Sequence, residues 1–159
     1  MATFPTFVSL GFKKLVPSSL LNNIMTAIGM LRTPARYYFL QNSGSADLTI
    51  SSTTAADLGA NFTVASLDVS GNPVIVRLFS GRHTTTATLT EIDLLVDGVS
   101  VRGGTSVWRG VTNVPVNFSW VVDGLTAGTH SFKIRWKISG SGTSTLYSAH
   151  GIWFEIVEQ

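Results

Sequence analysis

From Tyr37 onward, apolar and polar residues alternate along the chain with a period of two. The clearest run is 130–138, HSFKIRWKI. It sets Phe132, Ile134, Trp136 and Ile138 on one side and Ser131, Lys133, Arg135 and Lys137 on the other. Successive side chains of a strand point to opposite faces, so this pattern predicts a half-buried strand with one wet face. Residues 115–123 repeat it, with Val116, Phe118, Trp120 and Val122 facing inward. So do residues 91–97, where Ile92, Leu94 and Val96 oppose Glu91, Asp93 and Asp97. Across 145–157 the inward set is Leu146, Ile152, Phe154 and Ile156. Weaker alternation marks 60–69, 73–80, 37–41 and 47–52.

The punctuation between these runs agrees with strands. Asp97-Gly98 joins 91–96 to 99–102 as a tight hairpin, because a two-residue type I′ turn needs positive φ at both positions. Gly71-Asn72-Pro73, Asp123-Gly124, Ala127-Gly128 and the tract 139–142 supply further turns. With no helical pattern between strands, a parallel α/β fold is not expected. The pattern predicts an all-β protein: an antiparallel, jelly-roll-like β-sandwich of about eight strands.

The N-terminal part is different. Residues 1–17 are apolar and broken by Pro5, Gly11 and Pro17, which predicts an extended arm. Residues 18–31, SSLLNNIMTAIGML, predict one short helix capped by Ser18 or Ser19 and ended before Thr33-Pro34. Leu20, Ile24, Ile28 and Leu31, with Leu21 and Met25 beside them, form one apolar stripe. A lone helix of about 14 residues is marginal in water, so it is expected to dock on something. The organisation is therefore an arm over 1–36 and a β-domain over 37–159. The arm is expected to make assembly contacts through Phe4, Phe7, Phe12, Lys13, Lys14, Leu20, Leu21, Ile24, Met25, Ile28, Arg32 and Arg36.

Composition sharpens this division. Charged residues are 13% of the chain, about half the usual ~25%. The arm carries Lys13, Lys14, Arg32 and Arg36 with no acid, whereas the rest holds seven basic against nine acidic residues. Four cations make no dense Lys/Arg stripe, so no nucleic-acid partner is expected. No run approaches the ~18 apolar residues of a membrane span, so no membrane insertion is expected. Pro17, Ser18, Ser19, Asn22 and Asn23 interrupt the N-terminal apolar stretch, which argues against a signal peptide. Cysteine is absent, which rules out disulfides and thiolate metal sites.

Candidate chemistry is sparse. His83, in SGRHTTT at a strand end, is expected to be a solvated loop residue. His130 starts a strand, where its imidazole is placed to bond turn carbonyls. His150 falls on the inward parity of the last strand, as a core histidine or a subunit-interface residue. No spacing of the three histidines calls for a metal, and no cofactor is expected. Glu91 and Asp93 share the outward face of one strand, the ordinary home of solvated charge. G-x-S-x-G, P-loop and H-E-x-x-H motifs are missing, so no enzymatic activity is expected. Trp120 and Trp136 share the parity of core residues, whereas Trp153 points outward. Trp108, Arg109, Trp153 and His150 are the candidates for a ligand or interface contact, with Trp108 the best exposed anchor.

The stretch Asp123-Gly124-Leu125-Thr126-Ala127-Gly128-Thr129-His130-Ser131-Phe132-Lys133-Ile134-Arg135-Trp136 resembles a segment found in jelly-roll domains of tailed-bacteriophage structural proteins. Those domains form trimeric heads similar to the C1q and tumour-necrosis-factor folds. The arm, with its short helix leading into TPARYYFLQNSG, is similar to the start of phage head and tail appendage proteins. The resemblance implies a non-enzymatic virion structural protein: a homotrimer that contacts a major capsid or tail protein. Short length favours a capsid decoration protein held by its arm. The alternative it leaves open is a tail or fibre adsorption protein binding a host-surface glycan through loops around Trp108 and 139–145.

Overall fold

In a computed structural model, the structure describes residues 35–41, 44–101, 106–108 (main chain only) and 112–159. The helix expected over 18–31 and the arm residues Phe4 to Arg32 lie outside the described residues, as does Arg109. The described residues fall in one compact unit, Pro34–Gln159.

Twelve strand segments follow in chain order. They are β1 (Arg36–Gln41), β2 (Leu48–Ile50), β3 (Ala56–Asp57), β4 (Thr63–Val69), β5 (Val74–Thr85) and β6 (Leu89–Val96). Then come β7 (Val99–Ser100), β8 (Ser106–Trp108), β9 (Val114–Val122), β10 (Gly128–Ser139), β11 (Ser144–Leu146) and β12 (Ile152–Glu158). All pairings are antiparallel.

The pairing collapses twelve segments into eight ribbons. In the first sheet β12 and β11 lie end to end along one edge of β5, opposite β9, with β1 and β2 outside them. In the second sheet β4 and β3 lie end to end along β10, which pairs β6, and β7 and β8 share the far edge of β6. Counting ribbons in chain order, the sheets read 1-8-3-6 and 2-7-4-5, the nested order of a jelly roll. The expected eight strands are these ribbons. Segments of two or three residues are too short for alternation to reveal.

The inward parities read from the sequence are the core. Phe132, Ile134, Trp136 and Ile138 on β10 meet Val116, Phe118, Trp120 and Val122 on β9, and all are buried. Ile152, Phe154 and Ile156 of β12 are fully buried beneath them. The Asp97-Gly98 turn has the expected positive φ at both residues, 51° and 80°.

Two boundaries moved. Arg36, assigned to the arm, is the first residue of β1 and pairs with Val157. Ser80-Gly81-Arg82-His83, expected to be a loop, belongs to β5. A bulge between Ser80 and His83 shifts the register against β9 there. An extra residue reverses the parity beyond it. Before the bulge Val74, Val76, Leu78 and Ser80 are buried, and after it His83, Thr85 and Ala87. A Cβ on Gly81 would lie 2.3 Å from the carbonyl oxygen of His150, so only glycine lets β5 pass that turn.

Candidate association face

The two outer faces of the sandwich have opposite chemistry. On the second sheet, Lys133, Arg135 and Lys137 of β10 reach Asp57 (3.0 Å), Asp93 (2.9 Å) and Glu91 (3.3 Å). Cross-strand opposite charges of this kind stabilise a sheet modestly and suit a face turned to water. Asp93 departs from expectation, since it is 3% exposed rather than solvated. Arg135 and the Ser100 hydroxyl (2.7 Å) both donate to it, which satisfies the carboxylate that burial removed from water.

The first sheet carries an apolar outer face. Registers across β1, β12, β5 and β9 line up Leu40, Trp153, Phe79 and Asn117 in one row. The next row is Tyr38, Glu155, Arg77 and Ser119, and the third is Arg36, Val157, Ile75 and Val121. Among the described residues, Tyr38 (63%), Val121 (59%), Trp153 (42%) and Leu40 (38%) are four of the few large apolar side chains left in solvent. Arg77 and Glu155, 3.0 Å apart, neutralise each other in the middle. Tyr38, Arg77, Phe79, Asn117, Trp153 and Glu155 line a shallow depression of about 230 Å³.

Aromatic contacts shape this face. Trp153 and Phe79 stack on each other, centroids 4.8 Å apart and planes 26° apart. The indole also lies against Gly151, where a Cβ would come within 3.3 Å of Nε1. Stacking occupies one face of each ring, and Trp153 keeps 42% of its surface in solvent. The face is uneven and largely apolar, with Arg36 exposed at its edge, and surfaces of this kind pack against protein.

The other candidates fall elsewhere. Trp108 is the last residue of β8, opposite Thr90 at the edge of the second sheet. Trp153 belongs to the first sheet, so the two tryptophans stand on strands of different sheets. His150 is not on an inward strand position. The chain breaks into a 3-10 turn at Ser148–His150, which exposes the ring.

His83 is the largest correction. It is buried on β5, with Nε2 2.8 Å from the Ser144 hydroxyl of β11 and 3.4 Å from the Thr90 hydroxyl of β6. Thr90 in turn donates to Ser144 (2.8 Å), so the cluster ties the two sheets together. Nδ1 is buried without a protein partner. Burial lowers the pKa of His83 to about 4 and keeps it neutral. His130 does bond a turn carbonyl, as expected: Nε2 faces the Thr126 oxygen at 2.9 Å. Nδ1 faces the Asp97 carboxylate at 2.6 Å.

Sequence reasoning also missed Glu158. This buried carboxylate accepts from the Ser70 amide and hydroxyl (both 2.6 Å), the Asn72 amide (3.3 Å) and the Ala35 amide (3.2 Å). Burial pushes its pKa up, but these donors together outweigh it and hold the group below the ordinary carboxylate value. No short motif announces it, because its partners are 86 to 123 residues away.

No family model and no curated protein matches the chain. Among solved structures it is similar to the Eiger tumour-necrosis-factor protein of S. frugiperda, at 11% identity and TM-score 0.45, covering 80% of this chain and 94% of that one. It is also similar to the insecticidal delta-endotoxin Cry8Ea1 of Bacillus thuringiensis, at 12% identity and TM-score 0.45 over 73% of this chain. There the chain spans only 20% of the toxin. A CBM36 carbohydrate-binding module complexed with calcium and xylotriose is a third, at 13% identity and TM-score 0.37, covering 76% of this chain and 98% of the module. These are likenesses of fold and do not assign a function.

Proposed function

We propose that the chain is a non-enzymatic structural subunit of a bacteriophage virion, a capsid decoration protein held to the particle by residues 1–36. Its copies associate as a trimer through the outer face of the first sheet. The observation that carries the association is the contrast between faces: an ion-pair ladder on one sheet, and Tyr38, Leu40, Trp153 and Val121 exposed on the other. Apolar surface left on one flank of each copy is what a closed ring buries. The assignment to a virion rests on the resemblance of 123–136 to phage jelly-roll proteins.

Light scattering of the full chain tests the association. The expected mass is about three times 17.0 kDa. A Trp153→Lys, Val121→Lys variant is expected to fall to one copy while keeping the circular dichroism of a folded β-domain, because both sites are outside the core. A full-length protein that stays single-copy at tens of micromolar overturns the association. Mass spectrometry of purified phage particles encoding the chain tests the other half, and particles that lack it overturn the virion assignment.

A further inference from the structure

His130 stands where three connections meet at one end of the sandwich. It is the third residue of β10, beside the β6–β7 turn, the β9–β10 loop and the end of β4. Nδ1 meets the Asp97 carboxylate of the turn, and Nε2 meets the Thr126 carbonyl of the loop. Both are pure acceptors, so the imidazole must donate from both nitrogens. Only the imidazolium can do that, since the neutral ring has one N–H.

We propose that His130 is a proton-operated latch: charged, it ties the β9–β10 loop to the β6–β7 turn, and uncharged, it releases the loop while keeping the turn. The order of release follows from acceptor strength. With one N–H left, the ring keeps its bond to the carboxylate, because a charge-assisted hydrogen bond is the stronger of the two. The Thr126 carbonyl then loses its donor. Asp97 stays fixed to β10 regardless, through the Ser131 amide (2.8 Å) and hydroxyl (3.2 Å).

The surrounding charges favour the closed state. Asp97 faces the ring from the turn, Asp68 lies on β4, where Thr129 holds it, and Asp123 begins the loop. The Asp97 bond first, and then the Thr126 carbonyl, raise the pKa of His130 above the ordinary imidazole value. The stability the latch lends is therefore complete in acid and is lost as pH rises through that raised pKa. Its mechanical target is a groove of about 520 Å³, whose walls are the hairpin (Val99, Val101) and the end of β9 with its loop (Val121, Asp123, Leu125). Release frees the wall that carries Leu125.

NMR titration of the full chain tests this with three readouts: the His130 ring, the Leu125 methyl groups and amide exchange over 124–128. His130 is expected to titrate above the ordinary imidazole value. Leu125 shifts and loop exchange should follow the same midpoint, while the Ser131 amide stays protected. Asp97→Asn should lower the midpoint and uncouple the loop from it. A His130 midpoint at or below the ordinary value overturns the proposal. So does a Leu125 signal that stays still while His130 titrates. The wild-type titration decides the matter even where the variant folds poorly.

Discussion

Lowering the pH from 7 to 4 drives a proton toward His83, a group with no room for the charge. Its ring is 1% exposed among hydroxyls and core side chains, and its pKa in the fold is about 4 against 6.5 for an ordinary histidine. Because the folded value is the lower, the unfolded chain binds more protons between these pH values. Stability is then complete above pH 6.5 and declines as pH falls toward 4. Each pH unit in that window is worth about 1.4 kcal/mol, so the loss at pH 4 from this residue is about 3 kcal/mol. That is a large share of the ~5–15 kcal/mol of a typical domain.

The assay is urea unfolding followed by tryptophan fluorescence, at closely spaced pH values from 7 to 4. The reference is His83→Gln, which keeps a polar partner for Ser144, is close to histidine in size and does not titrate. Carboxylates and the two other histidines contribute equally to both proteins and cancel in the difference. The wild type should lose about 3 kcal/mol more than the variant over the range, whatever their stabilities at pH 7. Slopes that agree within about 0.5 kcal/mol would show that His83 opens to water on acidification, and the burial argument would fail.

Two further substitutions probe the devices that hold the sandwich together. Glu158→Gln keeps one acceptor oxygen but places an amide against the Ala35 N–H, and should cost about 2–3 kcal/mol by chemical denaturation. Since the folded pKa of Glu158 is depressed, wild-type stability should also drop as pH falls through it, and the variant should lack that component. Gly81→Ala drives a methyl into the His150 carbonyl and should cost about 1–3 kcal/mol or more, seen as a lowered melting temperature. A neutral effect there would mean that β5 and the Ser148–His150 turn can slide apart.

Alternation made the core legible because β9, β10 and β12 are uninterrupted where it was read. Phe132 to Ile138 and Val116 to Val122 keep one parity from end to end. The reading failed where parity is broken. The bulge at Gly81 moves His83 from the solvent side to the core, and SGRHTTT is too polar to look like a strand. His150 was misplaced for the same reason, since the 3-10 turn before β12 cancels the count from Leu146. Polar burial was hidden too. Ser144 and Thr90 make His83 tolerable, yet they sit 61 and 7 residues away. The outward position of Trp153 was legible, but its partners were not, because Phe79 and Leu40 reach it only through strand register. Trp108 drew attention as a lone aromatic in a glycine-rich stretch, and nothing in the sequence placed it in the other sheet.

The division between inner and outer parity also separates folding from association. On β12 the inward Ile152, Phe154 and Ile156 are fully buried, while the outward Trp153 stays partly open. Truncating an inward residue leaves a cavity and costs about 2–5 kcal/mol. Changing an outward residue costs the fold little, so apolar residues can persist at Tyr38, Val121 and Trp153 only at the expense of solubility. On the second sheet the same outward positions hold Lys133, Arg135 and Lys137, each with an acid. A strand pattern that could have repeated this ladder on β5 and β12 does so once, at Arg77 and Glu155, and surrounds it with aromatic and aliphatic side chains. Within a partner contact that pair loses water from both ions at once, and its 3.0 Å bond is what keeps the desolvation tolerable. Cutting it with Arg77→Ala should therefore weaken association more than it weakens the isolated fold.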